Sequence, residues 1–170
     1  MSNEDSNQVL YKILIERLEQ LRTMDKEGDS DRRRHIARET NELHAPLAHR
    51  LGLYAIKTEM EDLALKFLDY KTYKYIAHAL NEKKAQRDAY IHSFITPLEA
   101  KLKAAGFEFT IKGRPKSIHS IYHKMQVQRC DVDRIYDLFA IRIILDSPYE
   151  REKSDCWQVY SIITDMYRPN

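Results

Sequence analysis

The sequence predicts an α+β fold that is mainly helical. Apolar residues recur at helical spacing through most of the first hundred residues. Two later runs, 107–112 and 138–145, have the length and residue types of strands. A helical pattern lies between these two runs, and another follows the second. This order of elements gives the α+β class, with a helical half ahead of a small sheet.

Composition and charge narrow the class of protein. The chain has 170 residues, of which 43% are hydrophobic and 32% charged, enough for one substantial domain or two small ones. The formal net charge of +2 gives no global basic field, so we expect no direct binding of nucleic acid. No apolar run reaches the length of a membrane span. Cys130 and Cys156 fit neither a metal spacing nor a disulfide framework. We therefore expect a cytoplasmic protein that does not bind membranes.

Four helices are predicted ahead of the first strand. Their apolar stripes indicate the ranges 9–24, 32–51, 54–68 and 71–105. Pro46 should kink the second helix or divide it in two, and Gly52 should end it. Pro97 should divide the fourth helix, with Thr96 as the cap of the second piece. Gly106 should then end that helix.

Four tyrosines between positions 70 and 90 have two possible roles. Tyr70, Tyr73, Tyr75 and Tyr90 could stack on nucleotide bases. The sequence shows no basic groove around these tyrosines, so packing on an amphipathic helix is the expected role.

A last helix is predicted over 154–167, and its apolar side should face the sheet. The residues expected on that side are Trp157, Tyr160, Ile163 and Met166.

A basic turn and the helix after it form the main candidate site. Ser117 is a good N-cap for this helix. Arg114 and Lys116 come just before the helix N-terminus, where free backbone N–H groups and the helix dipole favour anions. Ser120 and Lys124 are four residues apart and share one helix face. The set predicts binding of a polyphosphate. The alternative is a solvated surface, which is the commoner role of a basic turn.

A carboxylate at the start of the second predicted strand supplies the opposite charge. Asp137 precedes the apolar run 138–145, which only Arg142 interrupts. A carboxylate at that position could hold Mg²⁺ against a phosphate that the basic side chains bind from its other side. The alternative is that Asp137 is an ordinary turn residue.

These motifs closely resemble the synthetase domain of RelA/SpoT-type (p)ppGpp synthetases, the GTP pyrophosphokinases of the stringent response. The resemblance is carried mainly by residues 112–125, KGRPKSIHSIYHKM, and 135–144, IYDLFAIRII. It extends to 38–40, 45–52 and 59–63, and so covers nearly the whole chain. It implies contacts with ATP for Arg114 and Lys116, and contacts with phosphate for Ser120 and Lys124. It also implies that Asp137 binds magnesium.

The resemblance implies an activity and its partners. Enzymes of this family transfer the β,γ-diphosphate of ATP to the 3′-hydroxyl of GTP or GDP and release AMP, a step that needs in-line placement and charge neutralisation. The implied fold is a nucleotidyltransferase-like mixed sheet, of which 107–170 supplies the opening elements. A longer parent is expected to associate with the ribosome through domains absent here. The alternative function is a degenerate synthetase that binds nucleotides or couples neighbouring domains.

The first part of the chain resembles the end of the family's hydrolase domain. We expect a helical remnant of a degenerate hydrolase-type domain at 1–52. The first part of the synthetase domain should follow at 53–170, with a helical lead-in at 53–106.

Glu16 and Gln20 fall where the family's hydrolase pattern has Asp and Asn. Glu16 could still hold a metal, but Gln20 departs from the pattern, and the His-Asp motif that supplies the other ligands is absent. We therefore expect no hydrolysis of ppGpp. In the family, the guanine-stacking loop and a second catalytic glutamate follow position 170. We expect this chain to be a fragment that is inactive alone.

Overall fold

The computed structural model confirms the mainly helical α+β class. It describes residues 3–82, 84–135 and 138–167, and the side chains in these ranges except at 3–6, 85–87, 114, 115 and 139. Every helix in this part of the chain is too short or too polar to traverse a bilayer. In chain order, the elements are α1 (Asn3–Thr23), α2 (Ser30–Glu39), α3 (Ala45–Arg50), α4 (Tyr54–Leu68), α5 (Tyr70–Glu82), α6 (Lys84–Ala104), β1 (Phe109–Pro115), α7 (Ile118–Gln128), β2 (Phe139–Leu145) and α8 (Glu152–Met166).

The chain divides into two compact units, each made of two separate stretches. Unit 1 consists of Met1–Ala79 and Ser117–Tyr136, and unit 2 consists of Leu80–Lys116 and Asp137–Asn170. The domains expected at 1–52 and 53–170 were assigned from the family resemblance and not from contacts within the fold. Their boundary therefore stays a prediction.

An apolar cluster in unit 1 lies between its first helices. The stripe that predicts α1 supplies Leu14 and Leu21, which are almost completely buried. Met60 of α4 is fully buried against them. Full burial of such a side chain contributes roughly 1.5–3 kcal/mol. The buried members of the cluster are Leu14, Leu18, Leu21, Met24, Ile36, Ala45, Ala48 and Met60.

Pro46 changes the type of helix without interrupting the helical path. A π-helical segment at Thr40–His44 joins α2 to α3, and Pro46 lies in the first turn of α3. Because proline lacks an N–H group and its ring collides with the carbonyl four residues earlier, a wider turn ahead of it accommodates the ring. Gly52 follows with a φ of 73°, which confirms its predicted place at the helix end.

The predicted division of the fourth helix at Pro97 is wrong, because Pro97 lies inside α6. Thr96 caps nothing there, and its hydroxyl donates to the carbonyl four residues earlier at 2.9 Å. A proline in a helix interior costs roughly 3 kcal/mol. Leu98 and Leu102 are fully buried after it, and roughly 1.5–3 kcal/mol from each offsets that cost. The helix does end where predicted, at Gly106, with a φ of 81°.

Unit 2 contains a two-stranded antiparallel sheet, against which α6 and α8 pack. β1 pairs with β2 in a register that runs from Phe109 opposite Leu145 to Pro115 opposite Phe139. Leu98, Leu102 and Val159 form the core between the two helices and the sheet. β1 begins later than expected and extends to Pro115, at the end of the ladder, where a missing N–H is tolerated. The mixed sheet implied by the resemblance stays a prediction.

The predicted orientation of α8 is half wrong. Ile163 and Met166 pack against the core of unit 2, as predicted. Trp157 and Tyr160 instead have 64% and 55% of their surface exposed, and their rings meet edge to face at 5.8 Å. α8 carries two apolar stripes, and the aliphatic one that includes Val159 packs on the sheet. Periodicity alone did not distinguish the two stripes.

Candidate phosphate-binding site

The predicted site residues belong to different parts of the fold. Ser120 and Lys124 lie one turn apart on α7, in unit 1. Arg114 and Lys116 lie at the end of β1 and just after it, in unit 2. Asp137 lies outside the described residues. The convergence of all five residues on one phosphate therefore stays a prediction, as does the magnesium role of Asp137.

α7 begins where the sequence predicts, with Ser117 as its N-cap. The Oγ atom of Ser117 accepts a hydrogen bond from the backbone N–H of Ser120 at 3.1 Å. The Ser117 hydroxyl donates to Oγ of Ser120 at 2.7 Å. These two bonds fix the Ser120 hydroxyl on the first turn. Lys124 is half-buried one turn further along the same face.

A carboxylate from another helix caps the same N-terminus. Asp62 of α4 accepts a hydrogen bond from the backbone N–H of His119 at 2.8 Å, and the N–H of Ile118 also bonds to this carboxyl group. Burial raises the pKa of Asp62, and the two N–H groups oppose that rise. Together with Ser117, Asp62 satisfies the amides of residues 118–120. The expectation that these N–H groups are free to bind an anion is therefore wrong, because protein carboxylate and hydroxyl oxygens already accept from them.

The neighbouring acid, Glu61, holds the side chain of His119. Its Oε2 atom lies 3.5 Å from Nδ1 of His119 and 3.1 Å from Nζ of Lys57. Burial alone would raise the pKa of Glu61, but the hydrogen bonds from His119 and Lys57 outweigh burial and lower it. Consecutive carboxylates of α4 thus hold one residue of α7 by its backbone and by its ring. The acidic run 59–62 was the sequence signal for this contact, and no role was predicted from it.

In unit 2, sheet pairing brings the basic turn beside the start of β2. The backbone of Arg114 lies opposite Ala140 in the register. The backbone N–H of Lys116 donates to the carbonyl of Leu138 at 2.9 Å. Leu138 directly follows Asp137 in the sequence. The backbone of Lys116 is thus paired with Leu138, a residue 22 positions later in the chain.

The residues of the proposed hydrolase remnant lie on α1. Glu16 is exposed and pairs with Lys12 at 3.8 Å, and Gln20 is half-buried. Among residues 3–82, 84–135 and 138–167, no three His, Cys, Asp or Glu side chains are placed to hold a metal ion. The lack of ppGpp hydrolysis stays a prediction.

A basic cavity of about 540 Å³ lies in unit 1. Its lining residues fall between positions 25 and 70, well before α7 in the chain. Tyr70, 58% exposed, lines it together with three cationic side chains, so the expectation of no basic groove near the tyrosines is wrong for this residue. The cavity is assembled from the 3-10 turn Met24–Lys26, the first turns of α2 and the junction of α4 with α5, and sequence spacing does not reveal that these meet. Its lining residues are Asp25, Ser30, Arg33, Arg34, Lys66, Phe67 and Tyr70.

Two family models match different parts of the chain. One, described as a region found in RelA / SpoT proteins, matches residues 113–170. The other, described as an HD domain, matches residues 3–54. The first match contains the basic turn, α7 and β2, and the second contains α1 to α3.

Several known proteins are similar to nearly the whole chain. It is 37% identical over 162 residues to the probable guanosine-3′,5′-bis(diphosphate) 3′-pyrophosphohydrolase of Synechocystis, covering 95% of this chain and 20% of that protein. It is 37% identical over 155 residues to the GTP pyrophosphokinase of Escherichia coli K12, covering 91% and 20% respectively. For the GTP pyrophosphokinase of Streptomyces coelicolor, the identity is 37% over 161 residues, covering 95% and 18%. The chain spans about a fifth of the length of these relatives.

Proposed function

Because the chain belongs to the RelA/SpoT family, we propose that it is part of a GTP pyrophosphokinase and that its basic motif binds the polyphosphate of ATP. In the proposed reaction, the 3′-hydroxyl of GTP or GDP releases its proton to solvent, and its oxygen forms a bond to the β-phosphorus of ATP. The bond from that phosphorus to the α,β-bridging oxygen breaks, and AMP leaves with the oxygen. A cytoplasmic location and ribosome association of a longer parent belong to the same proposal.

The observation that carries the proposal is the backbone contact between the basic turn and the start of β2. The Lys116 N–H to Leu138 carbonyl bond, 2.9 Å long, holds a cationic residue beside the strand that Asp137 precedes. Phosphoryl transfer depends on positioning and on neutralising charge on phosphate oxygens, more than on covalent participation by the protein. A cationic turn held beside the start of β2, the strand that Asp137 precedes in the sequence, supports both requirements.

Each residue of the motif has a proposed role that follows from its chemistry. The planar guanidinium of Arg114 can clamp phosphate or stack on adenine. Lys116 and Lys124 neutralise phosphate charge, and Ser120 donates a hydrogen bond to a phosphate oxygen. Asp137 has the oxygen donor that Mg²⁺ prefers, and a magnesium site with one protein carboxylate takes its remaining ligands from phosphates and water. When bound, Mg²⁺ would neutralise charge on the transferred group.

ATP titration tests the binding half of the proposal. We expect weak ATP binding by the wild-type chain that weakens further between low and moderate ionic strength, because screening reduces charge attraction. The double variant Lys116→Ala, Lys124→Ala should lose roughly tenfold or more in affinity, since two charge-assisted phosphate contacts are removed. Isothermal titration calorimetry supplies the measurement.

The matched control removes two lysines from elsewhere. Lys101 and Lys103 are exposed in the last turn of α6, and Lys101→Ala, Lys103→Ala changes the net charge by the same amount. This control should bind ATP as the wild type does. Equal affinity in all three proteins would refute the phosphate site and would favour the alternative, a module that couples neighbouring domains.

A further inference from the structure

We propose that Asp62 is a positioning residue for the phosphate-binding helix: its carboxylate fixes the first turn of α7 and thereby the places of Ser120 and Lys124. This inference rests on the proposed function, because it assigns Asp62 an effect on substrate binding. In the proposed arrangement, Asp62 touches no substrate and acts through the helix that it caps.

The contact joins parts of unit 1 that are far apart in the chain. Asp62 is 57 positions from His119, and its carboxyl group accepts from two consecutive amides of α7. Two bonds from one carboxylate to neighbouring N–H groups restrict both the position and the direction of the helix start. Ser120 is the next residue along, and Lys124 follows one turn later, so both side chains inherit that placement.

Asp62 also determines how α7 can bind an anion. A helix N-terminus without an internal partner offers its N–H groups and its dipole to a phosphate. Here a negatively charged oxygen already lies at that position, and a phosphate approaching the helix axis would meet a like charge. The ligand must therefore bind through the side chains of α7 instead of its amides. Ser120 and Lys124 provide a hydroxyl and an ammonium group for this purpose.

Glu61 strengthens the same placement by a different atom. It engages the ring of His119, whose backbone Asp62 engages, and it is itself paired with Lys57 on its own helix. Rotation of α7 about its axis would break the ring contact, and translation would break the amide contacts. The two acids thus restrict different movements of one helical turn.

The chain offers a matched control for the loss of a helix cap. Asp69, the residue directly after α4, accepts from the backbone N–H of Thr72 at 3.0 Å and from its hydroxyl at 2.7 Å. Asp69→Ala therefore removes an aspartate cap in the same unit without touching α7. Asp62→Ala removes the cap under test, and Asp62→Asn keeps an oxygen acceptor at nearly the same place.

The experiment measures amide hydrogen exchange by NMR together with ATP affinity. Asp62→Ala should accelerate exchange at His119 and Ile118 and weaken ATP binding, each by about tenfold, a change within the range for a lost cap. Asp62→Asn should keep exchange slow and affinity within about threefold of wild type, because the acceptor remains. Asp69→Ala should leave the affinity for ATP unchanged, even where it lowers resistance to urea as much as Asp62→Ala does.

The outcomes separate this inference from the proposed function. If wild-type binding depends on Lys116 and Lys124 while Asp62→Ala binds ATP normally, the positioning role is overturned and the proposed function stands. If removal of the two lysines has no effect, the proposed function falls, and the positioning role with it. If Asp62→Ala does not fold, Asp62→Glu shifts the carboxylate by one methylene in a protein that keeps its charge. Unchanged affinity and exchange in that variant would equally overturn the inference.

Discussion

At the scale of single residues, local capping could be predicted and long-range capping could not. Ser117 caps α7 through an amide three positions away, so a short window of sequence contains both partners. Asp62 reaches the same turn from α4, and only the packing of two helices brings it there. The motif was therefore identified correctly as a helix start, while its amides were wrongly expected to be open to phosphate.

The lowered pKa of Glu61 gives a pH dependence with a defined sign. Its folded-state pKa lies below the ordinary value of 4.5, so the unfolded chain takes up the proton first as pH falls. Glu61 therefore stabilises the fold above that value, and its contribution is lost as pH falls below 4.5 through the folded-state pKa. Glu61→Gln should show a shallower loss of unfolding free energy over this acidic window, measured by urea denaturation at a series of pH values.

The control for this measurement is Glu42→Gln, which removes an exposed carboxylate from the same unit. It should keep the acid dependence of the wild type. A Glu61→Gln curve that runs parallel to the wild-type curve through the acidic window would contradict the role given to the contact with His119 and Lys57.

At the scale of elements, helix and strand existence followed from periodicity, but the effect of proline did not. Pro46 and Pro97 look alike in a sequence, since each interrupts a helical stripe. The structure absorbs the first through the π-helical segment Thr40–His44 and keeps the second inside α6. Pro97 remains inside α6 because Leu98 and Leu102, which follow it, are buried against the sheet of unit 2. The strands of that sheet are not part of the short stretch of sequence around Pro97, so the burial could not be predicted from it.

This difference predicts opposite responses to removal of the two prolines. Pro97→Ala restores a backbone donor in the interior of α6 and should stabilise the protein by about 1 kcal/mol, the intrinsic cost of proline being partly cancelled by a more flexible unfolded chain. Pro46→Ala should give little or no gain, because the π-helical turn already accommodates the ring. Urea denaturation of both variants makes the comparison. Equal gains from both would show that the π-helical segment has a different cause.

At the scale of the whole molecule, the family and the class of fold were accessible from the sequence, and the assembly of the site was not. The basic motif reads as one continuous stretch, yet Lys116 belongs to unit 2 and Ser117 to unit 1. Contiguity in sequence predicted a single cluster from this motif, and the convergence of its residues stays a prediction. Each unit is assembled from two separate stretches, whose pairing depends on contacts between distant residues.

We expect this chain to bind ATP without transferring pyrophosphate to GTP. Asp137 is the single carboxylate proposed for Mg²⁺, and one carboxylate holds this ion weakly because the ion retains most of its water. An assay with labelled ATP and unlabelled GTP measures the product directly, with Asp137→Asn as the matched variant. Transfer by the wild type that Asp137→Asn abolishes would show that one carboxylate suffices.

The exposed position of Trp157 has a consequence for spectroscopy. It is the one tryptophan of the chain, and 64% of its surface is open to water on α8. An indole already hydrated in the native protein changes its emission little when the chain unfolds. Its fluorescence should therefore report poorly on denaturation. It should respond strongly to any molecule that covers this side of α8, since Tyr160, with ring centroids 5.8 Å apart, is its only aromatic neighbour in the described contacts.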